Sequence, residues 1–390
     1  MLQKQIERFY YMILMFSIFL GKLIISFFCA FSFLLSHSKK KQLLMFPYYP
    51  ENNIGAMVRF QNYLPFFDNE KISYDIHYIG NYQTIFHTLM EGDKRYDQYK
   101  LYIKIFWSRL FQTLKTGGYE AVYIQRGMFP FYPDQKEAIF EKLVYKLNKN
   151  ITVDFYDADY IVNKSIVHST VQYCHNVTVV NDFLANYFQK IHPNVKLFPI
   201  ALTPEKYLLK QIYKSSDSVI KIFWTGTAGN IFNLLSIQSV LKKIAIKKQI
   251  QILIVCNKTI HIEGLIVENN LYDPSNFYTL MHSADIALYP VKEGNDTHKG
   301  AMAAKALEYA ASGLPFVASP WGLSPYFTNK EDVLIANNLQ EWEDYLLQLI
   351  ESVELRKTIG SNARKTFMKY HSTEVSYPYL NKLLFHNHNN

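Results

Sequence analysis

A lysine and a glutamate three residues apart on an alanine-rich helix, just after a histidine, a lysine and a glycine, suit a phosphorylated ligand. The stretch is NDTHKGAMAAKALEYAASGLPFVAS, residues 295–319. Asp296 or Thr297 can cap a helix here, and Gly313 followed by Pro315 ends it. Ala304, Leu307, Ala310 and Ala311 fall on one face at helical spacing and would pack on a sheet. Lys305 and Glu308 are neighbours on the helix surface. Backbone N–H groups at the helix start, beside His298, Lys299 and Gly300, would favour an anion. A phosphate at that end, with a sugar hydroxyl accepted by Glu308 one or two turns below, fits a nucleotide diphosphate. Lys305 and Glu308 equally fit a solvated ion pair with no chemical role, and His298 reads as a loop contact rather than a base.

Other residues extend the pattern. FWTGTAGN, residues 223–230, is a strand followed by a loop, and Gly226 and Gly229 let backbone approach a second phosphate face. No G-x-G-x-x-G is present, which argues against nicotinamide and flavin chemistry, and no G-x-x-x-x-G-K-[ST] is present, which argues against a P-loop enzyme. In VDFYDADY, residues 153–160, Asp154 and Asp157 stand at a strand end where they can meet the hydroxyls of a ligand; Asp157 or Asp159 also suits a helix cap. These two aspartates are the nearest approach to a D-x-D metal motif, and no other carboxylate or histidine pair has ligand spacing, so no metal or other cofactor is expected. Arg126 can hold a phosphate or form a surface ion pair.

The elements that position these groups alternate between short apolar runs and helical stretches, as in βαβ units. The first series of strand candidates is 42–46, 75–79, 119–124, 151–155, 177–180 and 195–199; the second is 220–224, 251–255, 264–267, 285–289, 315–319 and 333–336. Between them, 203–218 is polar and turn-rich. The expected organisation is an amino-terminal hydrophobic segment (1–41), a Rossmann-like domain (42–203), a second Rossmann-like domain (204–370) and a tail (371–390), with a cleft between the carboxyl ends of the two sheets.

Composition narrows the partners. At 390 residues and 49% hydrophobic the chain suits two globular domains, and its net charge of +8 suits an anionic ligand or lipid. No Lys/Arg stripe interleaved with aromatics is present, so nucleic acid is not expected. Cys29, Cys174 and Cys256 are too scattered for a disulfide framework and read as reduced thiols, which makes the N-x-S/T matches accidental. Residues 9–35 are the one membrane-grade stretch, interrupted by Lys22. A central Lys costs roughly 2.5–3.5 kcal/mol on insertion while each Leu, Ile or Phe returns about 0.3–0.6. For a span from Ser17 to Leu35, twelve such residues offset Lys22, which can snorkel near one end. Lys39, Lys40 and Lys41 favour a cytosolic carboxyl-terminal side, and no small-residue cleavage site follows. The expectation is a membrane anchor or interfacial helix at the cytoplasmic face. The alternatives are a buried extra helix of a cytoplasmic protein or residues upstream of the true start.

KALEYAASGLPFVAS, residues 305–319, resembles the K-x-x-E-x-x-A-x-G-x-P-V-V-x-S block of the group 1, family 4-like glycosyltransferases of the GT-B fold. FWTGTAGN is similar to the opening of that family's donor domain, and YDPSNFYTLMHSADIALYPV, residues 272–291, to its D-I-x-x-x-P segment. YIQRG (123–127) with ITVDFYDADY (151–160) resembles a subgroup with R-G and D-F-D-D-A strand ends, and NNIGAMVR (52–59) its first loop. The resemblance implies an α/β GT-B chain in which two Rossmann-like domains, 42–203 for the acceptor and 204–370 for the nucleotide-sugar donor, face a central cleft. It implies Glu308 on the donor ribose, Lys305 and Lys299 on the diphosphate, and Gly226, Thr227, Asn230, His298 and Gly300 lining the donor site. Gly55, Arg59, Arg126, Asp154 and Asp157 fall on the acceptor side. The family often has a further Glu where Gly300 stands, so the residue touching the donor sugar is left open. The implied activity is transfer, with retention at the anomeric carbon, from a nucleotide-diphosphate sugar to a glycan or lipid-linked acceptor in cell-surface polysaccharide synthesis. A sugar-nucleotide-binding module without activity and a nucleotide-sugar epimerase are the alternatives.

Overall fold

The computed structural model describes residues 2–35, 41–92, 94–292 and 296–385. They form two compact units, Met1–Phe198 with Tyr377–Asn390, and Pro199–Ser376. The first unit holds a six-stranded sheet of β1 (Lys41–Phe46), β2 (Tyr74–Ile76), β3 (Tyr119–Gln125), β4 (Ile151–Phe155), β5 (Asn176–Val179) and β6 (Val195–Leu197). All pairs are parallel, in the order β2-β1-β3-β4-β5-β6. The second unit holds β7 (Ile220–Gly226), β8 (Ile250–Cys256), β9 (Val267–Leu271), β10 (Ile286–Tyr289), β11 (Phe316–Ala318) and β12 (Leu334–Ile335), also all parallel, in the order β12-β11-β10-β7-β8-β9. The central strands are largely apolar because helices cover both faces of a parallel sheet; β4 and β11 are buried at every residue, Asp154 of β4 included.

The expected strand at 264–267 is displaced. Gly264, at φ +78°, makes a turn, Ile266 is exposed, and the strand is the polar run Val267–Leu271. As an edge strand paired only to β8, it needs no apolar face. The polar 203–218 stretch lies within the second unit, strapped down by Lys210, whose N–H donates to the Ser312 carbonyl at 2.8 Å and whose ammonium donates to the Ala284 carbonyl at 2.6 Å. Residues 371–390 were expected as a tail, yet Thr373–Phe385 is helical and from Tyr377 belongs to the first unit. There Tyr377 stacks on Phe66 with ring centroids 4.8 Å apart, and Asn150 Nδ2 donates to the Leu384 carbonyl at 2.5 Å.

Helix α1 (Leu2–Ala30) begins and ends earlier than the expected span, so Lys22 lies inside the helix rather than near an end, and pairs with Glu137 at 2.8 Å. Lys39 and Lys40, which carried the expected orientation, lie outside the described residues. Gly21 is required where α1 crosses the helix Arg95–Thr113, because a Cβ there would collide with the Phe106 ring.

Strand order fixes where loops can build a site. Each parallel sheet gathers its functional loops at the carboxyl edge, and the crevice opens where strand order reverses. In the first unit that point lies between β1 and β3, and in the second between β7 and β10.

A buried ion pair anchors the first of these edges. Arg59, in the helix Ile54–Arg59, donates from Nε to Asp154 Oδ2 at 2.8 Å and from Nη2 to Oδ1, while its Nη1 donates to the Phe198 carbonyl at 3.0 Å. Asp154 also accepts from Thr178 Oγ1 at 2.7 Å, and both charged side chains are inaccessible. Burial opposes the Arg59 charge, but Asp154 more than restores it and holds the guanidinium above its ordinary pKa. Arg59 and Asp154 were expected to meet an acceptor. They are instead sealed beneath the sheet edge, where each satisfies the other. Removing one partner strands a buried charge, which typically costs about 3–5 kcal/mol. Asp154→Ala is therefore expected to lose about 3–5 kcal/mol in urea unfolding, while Glu120→Ala on exposed β3 surface changes stability by less than about 0.5 kcal/mol.

Candidate active site

The second unit assembles its groups around the end of β7. Gly226 closes the strand, and Thr227 leads into the short turn Ala228–Asn230, with Thr227 and Asn230 exposed. Asn257, at the end of β8, accepts from the Ala228 N–H at 2.7 Å and pins this loop. Across the switch point, Asn233 Oδ1 accepts from the Lys292 N–H at 2.9 Å and ties the loop after β10 to the segment after β7.

The alanine-rich segment is two helices, not one. Asp296–Gly300 forms a five-residue helix, and a second helix runs Ala304–Ala311 behind Ala303, which offers no side-chain cap. His298, Lys299 and Gly300 therefore do not stand at the start of the helix that carries Lys305 and Glu308. The break follows from Gly322, at φ +72°, whose carbonyl accepts from the Ala303 N–H at 2.8 Å, with its backbone packed against the Ala301 carbonyl. Lys299 Nζ lies 5.7 Å from the Trp321 ring centre, and His298 Nδ1 is buried without a partner among the described residues.

Lys305 and Glu308 are not a solvated pair. Lys305 Nζ would lie 3.1 Å from a Cβ at Gly226 and sits 5.6 Å from the Trp224 ring centre. That Cβ would also be 2.7 Å from Trp224, so only glycine lets the lysine reach the strand end. Glu308 Oε1 accepts a long hydrogen bond of 3.5 Å from Tyr207, whose ring meets Tyr278 edge-on. Burial lowers the Lys305 ammonium pKa against the pull of Glu308. Burial raises the Glu308 carboxyl to about 7, against Lys305 and the Tyr207 hydroxyl. An amine and a carboxyl each pushed towards neutrality beside a strand end are groups awaiting a charged or hydroxyl-bearing ligand. The helix that carries Glu308 is tied to β10 through Tyr309, whose hydroxyl donates to the Leu288 carbonyl at 3.2 Å.

At the switch point of the first unit, Arg126 follows β3 with φ +59°, a strained backbone for a side-chain-bearing residue. Its guanidinium pairs with Asp157 and, at 3.1 Å, with Asp159, and lies 4.5 Å, 5.3 Å and 5.6 Å from the ring centres of Tyr156, Tyr49 and Tyr48. Arg126 Nε and Asp159 Oδ2 are buried without partners among the described residues. Burial pushes Asp159 up to about 7 despite Arg126. Arg126 is thus no surface ion pair, and Asp157 is no cap, since the turn Asp159–Ile161 has no side-chain cap and the α-helix after it is capped by Asn163. Gly55 completes the cluster, because any Cβ there would strike the Tyr156 hydroxyl. Gln125 links the loops: its Oε1 accepts from the Tyr48 N–H and its Nε2 donates to the Gly55 carbonyl, both at 2.9 Å. Asp154 and Asp157 answer to different arginines, Arg59 and Arg126.

Comparison with known proteins places this geometry. Residues 238–377 match the family described as glycosyl transferase-like. No curated protein matches the chain. Among solved structures, the chain is similar to a sucrose-phosphate synthase from Thermosynechococcus elongatus (12% identity, TM-score 0.61), over 88% of this chain and 98% of that one. It is similar to HepE from Anabaena in complex with UDP-glucose (9% identity, TM-score 0.61), with the same coverage. A glycosyltransferase from Rickettsia africae matches at 14% identity and TM-score 0.60, over 89% and 99%. The chain has the GT-B fold of these solved structures.

In this GT-B chain the strand-end cluster includes residues that motif reading passed over. Tyr207 lies in the stretch taken for a linker, and Trp224 lies within the quoted FWTGTAGN without being singled out. Neither has a spacing signal, because each reaches Glu308 or Lys305 from a distant part of the chain. Asp285 of the D-I-x-x-x-P segment is structural: it is fully buried and accepts from the Lys221 N–H at 2.9 Å.

The raised Glu308 pKa sets a pH dependence. The protonated carboxyl favours folding below its ordinary value near 4.5, and that contribution is lost as pH rises through about 7. Glu308→Gln is expected to leave stability unchanged below pH 4.5 and to raise it at pH 8 by up to about 3 kcal/mol in denaturant titrations. A difference independent of pH would contradict the burial assigned to this group.

Proposed function

We propose that the enzyme transfers a sugar from a nucleotide-diphosphate sugar, held at the β7/β10 switch point, to a hydroxyl of a glycan or lipid-linked acceptor at a membrane surface. The observation that carries this reading is the Gly226–Lys305–Glu308 cluster: a lysine brought to a strand end by a missing side chain, next to a carboxyl that accepts hydroxyls. HepE, a protein of this fold, is described in complex with UDP and with UDP-glucose, which supports a donor of that class.

In the transfer, the bond from the anomeric carbon to the diphosphate oxygen breaks and a bond to the acceptor oxygen forms. The acceptor proton leaves with the diphosphate or to solvent. The rate depends on stabilising the charge that builds on the departing diphosphate, usually the larger electrostatic contribution in such sites. Lys305 supplies that charge; burial lowers its pKa in the free enzyme, and an arriving diphosphate restores the ammonium. Lys299 lies on the neighbouring helix and adds to it. Glu308, oriented by Tyr207, accepts the ribose hydroxyls. Atoms and charge balance without a redox cofactor, and the lysines provide the charge that a metal would otherwise bring. Arg126, Asp157 and Gly55 form the acceptor side, where Asp159 can take up a proton near neutral pH. We further assign retention at the anomeric carbon and a role in cell-surface polysaccharide synthesis, on the resemblance of residues 305–319 to the group 1 block.

A panel of sugar nucleotides read by thermal shift tests the donor site. One nucleotide sugar is expected to raise Tm in the wild type and not in Glu308→Ala, and Lys305→Met is expected to lower kcat/KM by about 100-fold or more. A folded wild-type protein that responds to no sugar nucleotide would overturn the assignment.

A further inference from the structure

Helix α1 has two faces with different fates. Successive residues turn by about 100°, so Leu14, Ser17, Gly21 and Ile25 share one side, and all four are buried against the first unit. Met12, Phe16, Phe19, Leu23 and Phe27 share the opposite side, and each is more than half exposed. The buried side is fastened along the helix. Glu7 meets Arg95 at 3.9 Å, Ser17 Oγ accepts from Trp107 Nε1 at 3.2 Å, Phe106 fills the space beside Gly21, and Lys22 meets Glu137 at 2.8 Å.

Among the described residues α1 is the one helix long and apolar enough to cross a bilayer. Its fastenings are what decide against crossing. If α1 spanned while docked, the helix Arg95–Thr113 would enter hydrocarbon beside it, carrying Arg95, Asp97, Lys100 and exposed Lys104. Each such charge costs roughly 2.5–3.5 kcal/mol or more at the bilayer centre. If α1 spanned alone, its ion pairs and its packing on Phe106 would be lost. A helix lying in the interface keeps all of these and still buries its phenylalanines in lipid.

The margins of the exposed stripe name the occupant. Tyr10 stacks on Tyr96 and Tyr11 packs on Tyr99, so amphipathic rings flank the apolar ridge as they do at headgroup level. Residues 1–41 carry six Lys or Arg (Lys4, Arg8, Lys22, Lys39, Lys40, Lys41) against Glu7 alone, which is five of the chain's eight net positive charges. Such charges near a membrane contribute about 1 kcal/mol each towards anionic lipid. A groove of about 280 Å³ opens on the same flank, walled by Met15, Ile18, Phe106, Phe129 and Ile139 with Lys22 among its lining, and offers room to the end of an acyl chain.

We propose that α1 is a docked, in-plane membrane ridge: it stays fastened to the first unit and rests its phenylalanine face in the surface of an anionic bilayer, without crossing it. This rests on the membrane-surface reading above and specifies its geometry.

The full chain is mixed with sealed vesicles of phosphatidylcholine containing about one-third phosphatidylglycerol, or of phosphatidylcholine alone, and separated by flotation. The wild type is expected to float with the anionic vesicles at least about tenfold more strongly than with the neutral ones. Phe16→Ser/Phe19→Ser/Leu23→Ser is expected to stay in solution with Tm and donor turnover unchanged, since these side chains lie on the exposed face of the helix. A Gln5→Cys variant in a Cys29→Ser background then separates the geometries. In the bound protein, an impermeant maleimide outside the vesicles is expected to label the thiol introduced at position 5 in full. Flotation with that thiol protected until detergent is added means that the helix spans, which overturns the in-plane geometry and leaves membrane association intact. No flotation with either vesicle overturns both. A stable dimer that ignores vesicles, and becomes monomeric in the triple variant, assigns the face to a second copy and likewise overturns the proposal.

Discussion

Parallel strand pairing is the constraint on which the rest of this molecule depends. In a parallel sheet every strand points the same way, so the loops that leave the carboxyl ends gather at one edge, and helices must return over both faces. Two consequences follow in each unit. The strands become buried on both sides, as in β4 and β11, and largely apolar. The polar residues that remain are concentrated at the carboxyl edge, where Gly226 and Thr227 leave β7 and Arg126 leaves β3.

At both edges charge is held out of water and left incompletely satisfied. In the second unit, Lys305 and Glu308 are shifted towards their neutral forms by burial, and they interact with each other and with Tyr207. In the first, Arg126 sits in a ring of tyrosines with two aspartates, and two polar atoms lack partners among the described residues. Beneath it, Arg59 and Asp154 form a pair with good geometry, supported by hydrogen bonds to Thr178 and the Phe198 carbonyl. The contrast separates scaffold from site. A buried pair that satisfies itself holds the fold, whereas a buried group that does not is poised for a ligand.

The amino-terminal helix shows how docking changes the meaning of an apolar sequence. Taken alone, residues 9–35 have the length and composition of a membrane span. Once one side is committed to Phe106, Trp107 and Glu137, only the other side is free for lipid, and the helix acquires an orientation that hydropathy does not contain.

The sequence by itself determined the alternation of strands and helices, and with it two parallel sheets, because strands buried on both faces are short, largely apolar runs. It also made neighbours of Lys305 and Glu308, which sit in one contiguous motif, since helical spacing alone brings them together. Tertiary structure decided what depends on distant pairing. Gly322 split the 296–311 helix; Tyr207 and Trp224 reached the lysine–glutamate pair from elsewhere in the chain; Arg59 drew Asp154 inward while Arg126 kept Asp157 at the edge. Asp154 and Asp157 are read from sequence as equals in one motif. Burial told them apart, because which carboxylate meets which arginine is set by the direction each side chain leaves the strand end, and that direction exists only once the sheet is formed.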